Sequence, residues 1–190
     1  TTGTITDMYR HPDLVHEYME RAVPEAIENS IKTADMTGIP VMLMPLHRGA
    51  DNFMNEAQFK AFYWPYLKRV MLGQIEEGLV PCCFAEGSFN TRLEIIKDFP
   101  KGKAVWHFDQ TDMKKAKEIL GDTVCIMGNV PVSLMVTGQP KDVKAYCREL
   151  IETAGQEGGF VLAPGATTDD AKVENIQAMM AAAKEFGVYN

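Results

Sequence analysis

Short, continuously apolar segments alternate along this chain with longer stretches of helical periodicity. Five apolar segments have the length of strands, and helix-like stretches lie between them. They are Val41–His47, Leu79–Glu86, Ala104–Asp109, Thr123–Asn129 and Phe160–Ala163. Continuous apolarity is typical of strands that are buried on both faces of a parallel sheet. The pattern therefore predicts consecutive βα units and an α/β fold.

The predicted helices carry recognisable start and stop signals. His11–Thr37 has roughly helical apolar spacing, and Gly38 followed by Pro40 ends it. A long helix is predicted over Asn55–Glu77, with its first residue as the cap and Pro65 producing a kink. The remaining predicted helices are Thr91–Phe99, Asp112–Leu120, Lys141–Gly155 and Val173–Phe186.

Composition limits the class of protein. The chain has 190 residues, of which 46% are hydrophobic and 24% are charged, as in a globular protein with a real core. A net charge of −7 argues against nucleic acid or an anionic membrane as partner. No apolar run approaches the ~20 residues of a membrane span, and Thr1–Asp7 does not resemble a signal peptide. Four cysteines are too few for a disulfide scaffold, so we expect reduced thiols and a cytoplasmic location.

The number of strands leaves two architectures open. A closed (β/α)8 barrel needs eight strands and about 250 residues, whereas five strands are predicted here. The chain is either an open, doubly wound sheet or the C-terminal part of a barrel whose first strands are absent. In both cases we expect residues 1–190 to form one domain, or part of one.

Four of the predicted strands end in polar side chains. These are His47, Glu86, His107 with Asp109, and Asn129. In an α/β barrel the reactive groups lie at the carboxyl ends of the strands. Because side chains alternate along a strand, Glu86 shares a face with Cys82 and Phe84, and His107 shares one with Asp109. We therefore expect the terminal polar side chains to converge at one rim.

A buried carboxylate beside neutral or cationic partners can become a tuned acid, a tuned base or part of a metal site. Glu86, His107 and Asp109 are accordingly the predicted catalytic residues. Glu86 has no obvious structural task, whereas Asp109 has the alternative of capping the helix at Asp112.

A second set of polar residues is predicted to bind substrate. It consists of His47, Arg48, Asp51, Arg92 and Asn129. The planar fork of Arg48 suits a carboxylate or phosphate, and Asp51 could orient it. The alternative is a solvated loop with an ion pair. Arg92 lies on the predicted helix that follows Gly87–Asn90, and the exposed N–H groups at the start of a helix favour anions. Asn129 has the alternative of forming a turn before Pro131.

Several stretches taken together resemble the uroporphyrinogen decarboxylase superfamily, which includes the methylcobalamin:thiol methyltransferases. They are Phe59–Lys68, Gly121–Asn129, Leu134–Pro140, Gly158–Gly165, Glu174–Ile176 and Glu185–Gly187. Their order and spacing match over roughly the last 150 residues. The resemblance implies a (β/α)8 barrel about twice as long as this chain, of which the chain is the C-terminal half.

The zinc ligands of the thiol methyltransferases do not carry over. That group holds zinc with a His-x-Cys-Gly at one strand end and a Cys after a late Pro-Gly, and zinc activates the thiol of the substrate. The matching positions here are Phe84, Glu86 and Ala166. A mixed zinc site of Glu86 with His47 or His107 remains a hypothesis.

The decarboxylases of the superfamily do not fit better. Their arginine-rich loop and pyrrole-binding Asp belong to the absent half, and their late Gly-His-Gly is matched by Pro164-Gly165-Ala166. The resemblance thus favours a corrinoid-linked methyltransferase that acts on a small molecule and a corrinoid protein. The alternatives are a uroporphyrinogen decarboxylase, which is a carboxy-lyase, and a non-catalytic barrel that binds a tetrapyrrole or a partner. Exposed edges of an incomplete barrel would favour a homo-oligomer.

Overall fold

The predicted alternation of strands and helices is present in the structure. The computed structural model of the chain describes residues 2–188. Its strands are β1 (Val41–Pro45), β2 (Val80–Ala85), β3 (Val105–Phe108), β4 (Cys125–Val130) and β5 (Phe160–Pro164). They form one parallel sheet in the order β1-β2-β3-β4-β5. Continuous apolar runs were thus a reliable signal for the strands.

The order of the strands and the burial of the sheet decide between the two architectures. A doubly wound sheet reverses its strand order and carries helices on both faces, whereas a barrel keeps sequential order and carries helices outside. Here the order is sequential, and on the helix-covered face Cys83, Trp106 and Ile126 are fully buried. On the opposite, concave face Phe84 is only partly buried and Leu43 is 62% exposed. The fold is therefore part of a TIM-barrel α/β fold.

Nine α-helices and two π-helical turns are present among residues 2–188. The α-helices are α1 (Thr2–Arg10), α2 (Pro12–Thr37), α3 (Glu56–Gln58), α4 (Trp64–Glu76), α5 (Leu93–Ile96), α6 (Met113–Leu120), α7 (Val132–Thr137), α8 (Pro140–Leu150) and α9 (Val173–Phe186). The π-helical turns are Phe59–Tyr63 and Ile151–Gly155. Helices α1 and α7 had not been predicted, and α5 is shorter than expected. Within that part of the chain no helix is both long enough and apolar enough to cross a bilayer.

The stretch predicted as one kinked helix is divided into three segments. Asn55 begins α3 with a capping box: its Oδ1 accepts from the backbone N–H of Gln58, whose side chain accepts from the N–H of Asn55. The π-helical turn follows, and the N–H of Trp64 donates to the carbonyl of Phe59, five residues earlier. Pro65 then lies in the first turn of α4, where its missing N–H costs nothing. The proline therefore starts a new helix instead of bending one.

A large aromatic cluster supports the sheet from the helix side. The ring of Trp106 lies 6.4 Å from that of Trp64, 6.2 Å from that of Phe89 and 6.0 Å from that of Phe108. Phe89 belongs to the loop after β2, and Trp64 opens α4. The core thus reaches the loops at the carboxyl edge of the sheet and holds them in place.

Candidate functional site

Two predicted site residues meet at the carboxyl edge of the sheet. His47 follows β1 and Glu86 follows β2; the N–H of Leu46 donates to the carbonyl of Phe84 (2.8 Å), which extends the pairing of the two strands toward the edge. Nδ1 of His47 makes a hydrogen bond to Oε2 of Glu86. The side chains are 56% and 46% exposed, so both can reach a ligand. An imidazole and a carboxylate in contact can accept a proton and pass it on.

His107 faces the same concave side but has other contacts. Its Nε2 lies 2.7 Å from the carbonyl oxygen of Pro164, and its ring packs on Phe84 with 4.9 Å between centroids. Because a carbonyl can only accept, Nε2 carries the proton. In the neutral ring, Nδ1 is then left as an acceptor. The predicted catalytic role of His107 stays a prediction, now with a defined tautomer.

Asp109 positions the turn after Glu86. Its Oδ2 accepts from the N–H of Gly87 at 3.0 Å. Gly87 has a φ of +83°, and an added Cβ would lie 3.2 Å from the Cβ of Ala50, so glycine is favoured there on both counts. The alternative role of Asp109 as a helix cap is wrong, because Asp112 caps α6 by accepting from the N–H of Lys115.

Asn129 is buried and joins two loops. It is 6% exposed, and its Nδ2 donates to the carbonyls of Asp109 (3.0 Å) and Thr111 (2.8 Å). The side chain therefore ties the end of β4 to the loop after β3. This geometry suits a positioning residue better than one that touches substrate.

Asp51 is engaged by the loop after β2. It accepts from the hydroxyls of Ser88 (2.8 Å) and Thr91 (2.7 Å), and its own N–H donates to the carbonyl of Ser88 (2.8 Å). Its carboxylate also lies 3.6 Å from Nε of Arg92. Ser88 and Thr91 had not been predicted as functional partners; the only signal was a pair of hydroxyl residues just after a strand end.

Arg92 is buried beneath the loop after β1 and is only 1% exposed. It donates to the carbonyls of Gly49 and Met54, and its guanidinium lies 4.7 Å from the ring centroid of Phe59. Burial lowers the pKa of Arg92, while the carboxylate of Asp51 acts in the opposite direction. Since these donors are used inside the protein, the geometry is unfavourable to direct substrate contact by Arg92.

Arg48 differs from Arg92 in being exposed. Its guanidinium lies 5.0 Å from the ring centroid of Phe53, at an open cleft. Of the predicted substrate-binding residues, His47 and Arg48 remain free to meet a ligand. Their role in substrate binding stays a prediction.

The potential metal ligands do not form a zinc site by themselves. Among residues 2–188 there is no cluster of three or more His, Cys, Asp or Glu side chains suited to a metal ion. His47 and Glu86 are in contact, but a structural or catalytic zinc takes at least three protein ligands. Phe84 and Ala166 cannot supply the third. The residues described here do not fit zinc.

Solved structures and curated sequences resemble this chain over most of its length. A methyltransferase from Methanosarcina mazei superposes with a TM-score of 0.80 and 20% identity, covering 97% of this chain and 53% of the other. A uroporphyrinogen decarboxylase from Methylococcus capsulatus is 28% identical over 184 residues, 94% of this chain and 51% of that protein. One from Chlorobium luteolum is 27% identical over 150 residues, 78% of this chain and 41% of that protein. The chain spans about half the length of the curated relatives it matches.

Fold and site together define a segment of an α/β barrel with ionisable side chains at the carboxyl ends of its strands. This is the arrangement of barrel enzymes. The family model described as uroporphyrinogen decarboxylase (URO-D) matches residues 1–186. The chain belongs to this family, as its sequence motifs had indicated.

Proposed function

We propose that the chain is part of a methyltransferase that moves a methyl group between a small molecule and a corrinoid carried by a partner protein. The observation that carries this proposal is the contact between His47 and Glu86 at the carboxyl edge of the sheet. Both side chains are half-exposed, and each comes from the end of one of two neighbouring strands.

The pair supplies the proton acceptor that methyl transfer needs. A thiol or hydroxyl acceptor attacks the methyl carbon, and its proton passes to the Glu86–His47 pair. The bond between the methyl carbon and cobalt breaks, and its electron pair stays with the corrinoid, which is a substrate here. A positioned base of this kind contributes roughly 10²- to 10⁴-fold to the rate.

Within the part of the barrel that this chain forms, the charges at the edge support methyl transfer over decarboxylation. Uroporphyrinogen carries eight carboxylates, and their recognition calls for several convergent cations. At the edge described here Glu86, Asp51 and Asp109 supply negative charge, and Arg92 is buried with its Nε and Nη2 donors engaged. In the described loops after β1 and β2, Arg48 is the one exposed arginine.

Uroporphyrinogen decarboxylation is the second candidate, favoured by the names of the relatives from Methylococcus capsulatus and Chlorobium luteolum. In that reaction His47 or His107 would act as a proton donor. The two candidates differ in substrate and product, so one pair of assays separates them.

The test compares both reactions on the purified protein. We expect methylcobalamin to lose its methyl group in the presence of a small thiol, which a change in absorbance records. The rate should fall roughly 100-fold or more in Glu86→Gln, because a positioned base contributes at least about 10²-fold. Glu94→Gln, at another exposed glutamate, is the matched control. Release of carbon dioxide from uroporphyrinogen without methyl transfer would replace the proposal with the second candidate.

A further inference from the structure

A cleft of about 640 Å³ opens beside the loop after β1 and does not include His47 or Glu86 in its lining. Helices α1 and α2 form one wall, and the loop after β1 and the first π-helical turn form the other. Its volume lies within the range of small-molecule sites, roughly 300–1,000 Å³.

The walls of the cleft are mainly apolar and partly aromatic. Met8 and Leu14 line it from the helices, and Phe53 and Phe62 line it from the other side. Leu14 is 62% exposed, and Tyr18, which also lines the cleft, is 64% exposed. Covering such exposed apolar surface with a ligand removes it from water, which makes binding more favourable.

Two polar groups in the cleft have no protein partner in the described part of the chain. The guanidinium of Arg48 lies 5.0 Å from the ring centroid of Phe53, and within the described residues its N–H donors make no hydrogen bond or ion pair. Tyr63 stacks on Phe59 at 5.2 Å, and its hydroxyl likewise makes no hydrogen bond there. Burial raises the pKa of Tyr63, so the phenol remains a neutral donor at physiological pH.

The loop that carries Arg48 is held rigid from below. The buried Arg92 donates to the carbonyls of Gly49 and Met54, at the two ends of the segment that includes Phe53. A Cβ on Gly49 would come within 3.0 Å of Cε1 of Tyr63, so the phenol ring packs directly on this loop. Arg48, Phe53 and Tyr63 are therefore held close together before any ligand arrives, which lowers the entropic cost of binding.

We propose that this cleft binds a small aromatic monocarboxylate, with the carboxylate on Arg48 and Tyr63 and the ring against Phe53 and Phe62. A neutral ligand would not use the positive charge of the exposed Arg48. A multiply charged anion would gain little from the apolar walls and would meet Asp7, which also lines the cleft. A single carboxylate on an apolar body satisfies both the cation and the walls.

Fluorescence titration of the purified protein with 2-naphthoate tests this site. We expect saturable binding of one equivalent, and at least tenfold weaker binding of 2-naphthamide, which has the same rings but no charge. Arg48→Met should weaken binding of the acid by about tenfold or more, and Tyr63→Phe by about threefold to tenfold, as for a lost charged and a lost neutral hydrogen bond.

Arg21→Met is the matched control, because Arg21 lies on α2 outside the cleft with its side chain 75% exposed. It should bind the acid like the wild type, whereas Asp7→Asn should bind it more tightly. No saturable binding, equal binding of acid and amide, or equal losses in Arg48→Met and Arg21→Met would each overturn the proposal. None of these outcomes depends on methyl transfer, so the site and the proposed function are tested separately.

Discussion

Two polar clusters join the loops after β1 and β2 but differ in burial and in how many protein partners their charged groups have. The first, which we call the brace, consists of Asp51, Ser88, Thr91 and Arg92. The second is the pair of His47 and Glu86. In the brace Arg92 is buried, Asp51 and Ser88 are partly buried and Thr91 is exposed, whereas both side chains of the pair are about half-exposed. Polar residues at strand ends thus divide into those that fix the loops and those that are free for chemistry, and sequence position does not distinguish them.

The largest effect on stability should come from removing the cation of the brace. Arg92→Met leaves the carbonyls of Gly49 and Met54 without donors and Asp51 without its counter-charge. We expect a loss of about 3–5 kcal/mol in the free energy of unfolding, measured with urea. Arg69→Met, at an exposed pair with Glu20, is the control and should cost less than about 1 kcal/mol. Equal losses in the two variants would remove the distinction between brace and surface.

A change in the pair of His47 and Glu86 should instead lower activity strongly and stability only slightly. His47→Gln keeps a polar side chain but cannot exchange protons, so activity should fall roughly 10²-fold. Because His47 is half-exposed, the free energy of unfolding should change by no more than about 0.5 kcal/mol. Turnover and urea unfolding measured on the same preparation check both halves of this expectation. A stability loss as large as that of Arg92→Met would place His47 in the scaffold.

Asp51→Asn gives a smaller effect within the brace. The amide has one acceptor oxygen where the carboxylate has two, so only one of the hydroxyls of Ser88 and Thr91 keeps its acceptor, and the charge that faces Arg92 is gone. We expect a loss of about 1–3 kcal/mol. In a double-mutant cycle with Arg92→Met, the two losses should add to more than the double variant shows, because the residues share one interaction. Strict additivity would argue that Asp51 and Arg92 act independently.

The smallest expected effect concerns the reactivity of the cysteine thiols, which compares the concave face of the sheet with the helix-covered face. Burial raises the pKa of Cys82, Cys83, Cys125 and Cys147, so all four thiols should react slowly with iodoacetamide at pH 8. Cys82 and Cys125, on the concave face, should nevertheless react before the fully buried Cys83 and Cys147. As the pH is raised toward the pKa of each thiol, its labelling rate should rise by up to about tenfold per pH unit, because the thiolate is the reactive form. Peptide mapping by mass spectrometry under native conditions gives the order; faster labelling of Cys83 would mean that the covered face is open.

The strands could be predicted because their signal is local. Runs such as that of β2 are apolar throughout, and the structure places its bounds within one residue of the predicted Leu79–Glu86. That Glu86 and His47 lie at the same edge also followed from a general rule, because parallel strands end at one edge, but their direct contact did not. The division of 55–77 into three segments was missed, since Asn55 and Pro65 were assigned to a single helix.

The positions of Arg92 and of the cleft depend on contacts between distant residues. An arginine beside polar loop residues is expected at the surface. Its burial results from carbonyls of a loop about forty residues earlier in the chain, which no local pattern reveals. The cleft likewise needs α1, which the sequence did not predict, to lie against the loop that carries Arg48.

The π-helical turn at Phe59–Tyr63 makes the length of this segment as important as its composition. Removing one residue there would restore regular α-helical spacing and leave the flanking helices in nearly the same relative orientation, because the wider turn already absorbs the extra residue. The side chains within the turn would then shift relative to Gly49, while α4 could still pack on the sheet. A relative without the extra residue would therefore keep the barrel and show a different side chain to any bound molecule, so that specificity can diverge through one codon gained or lost.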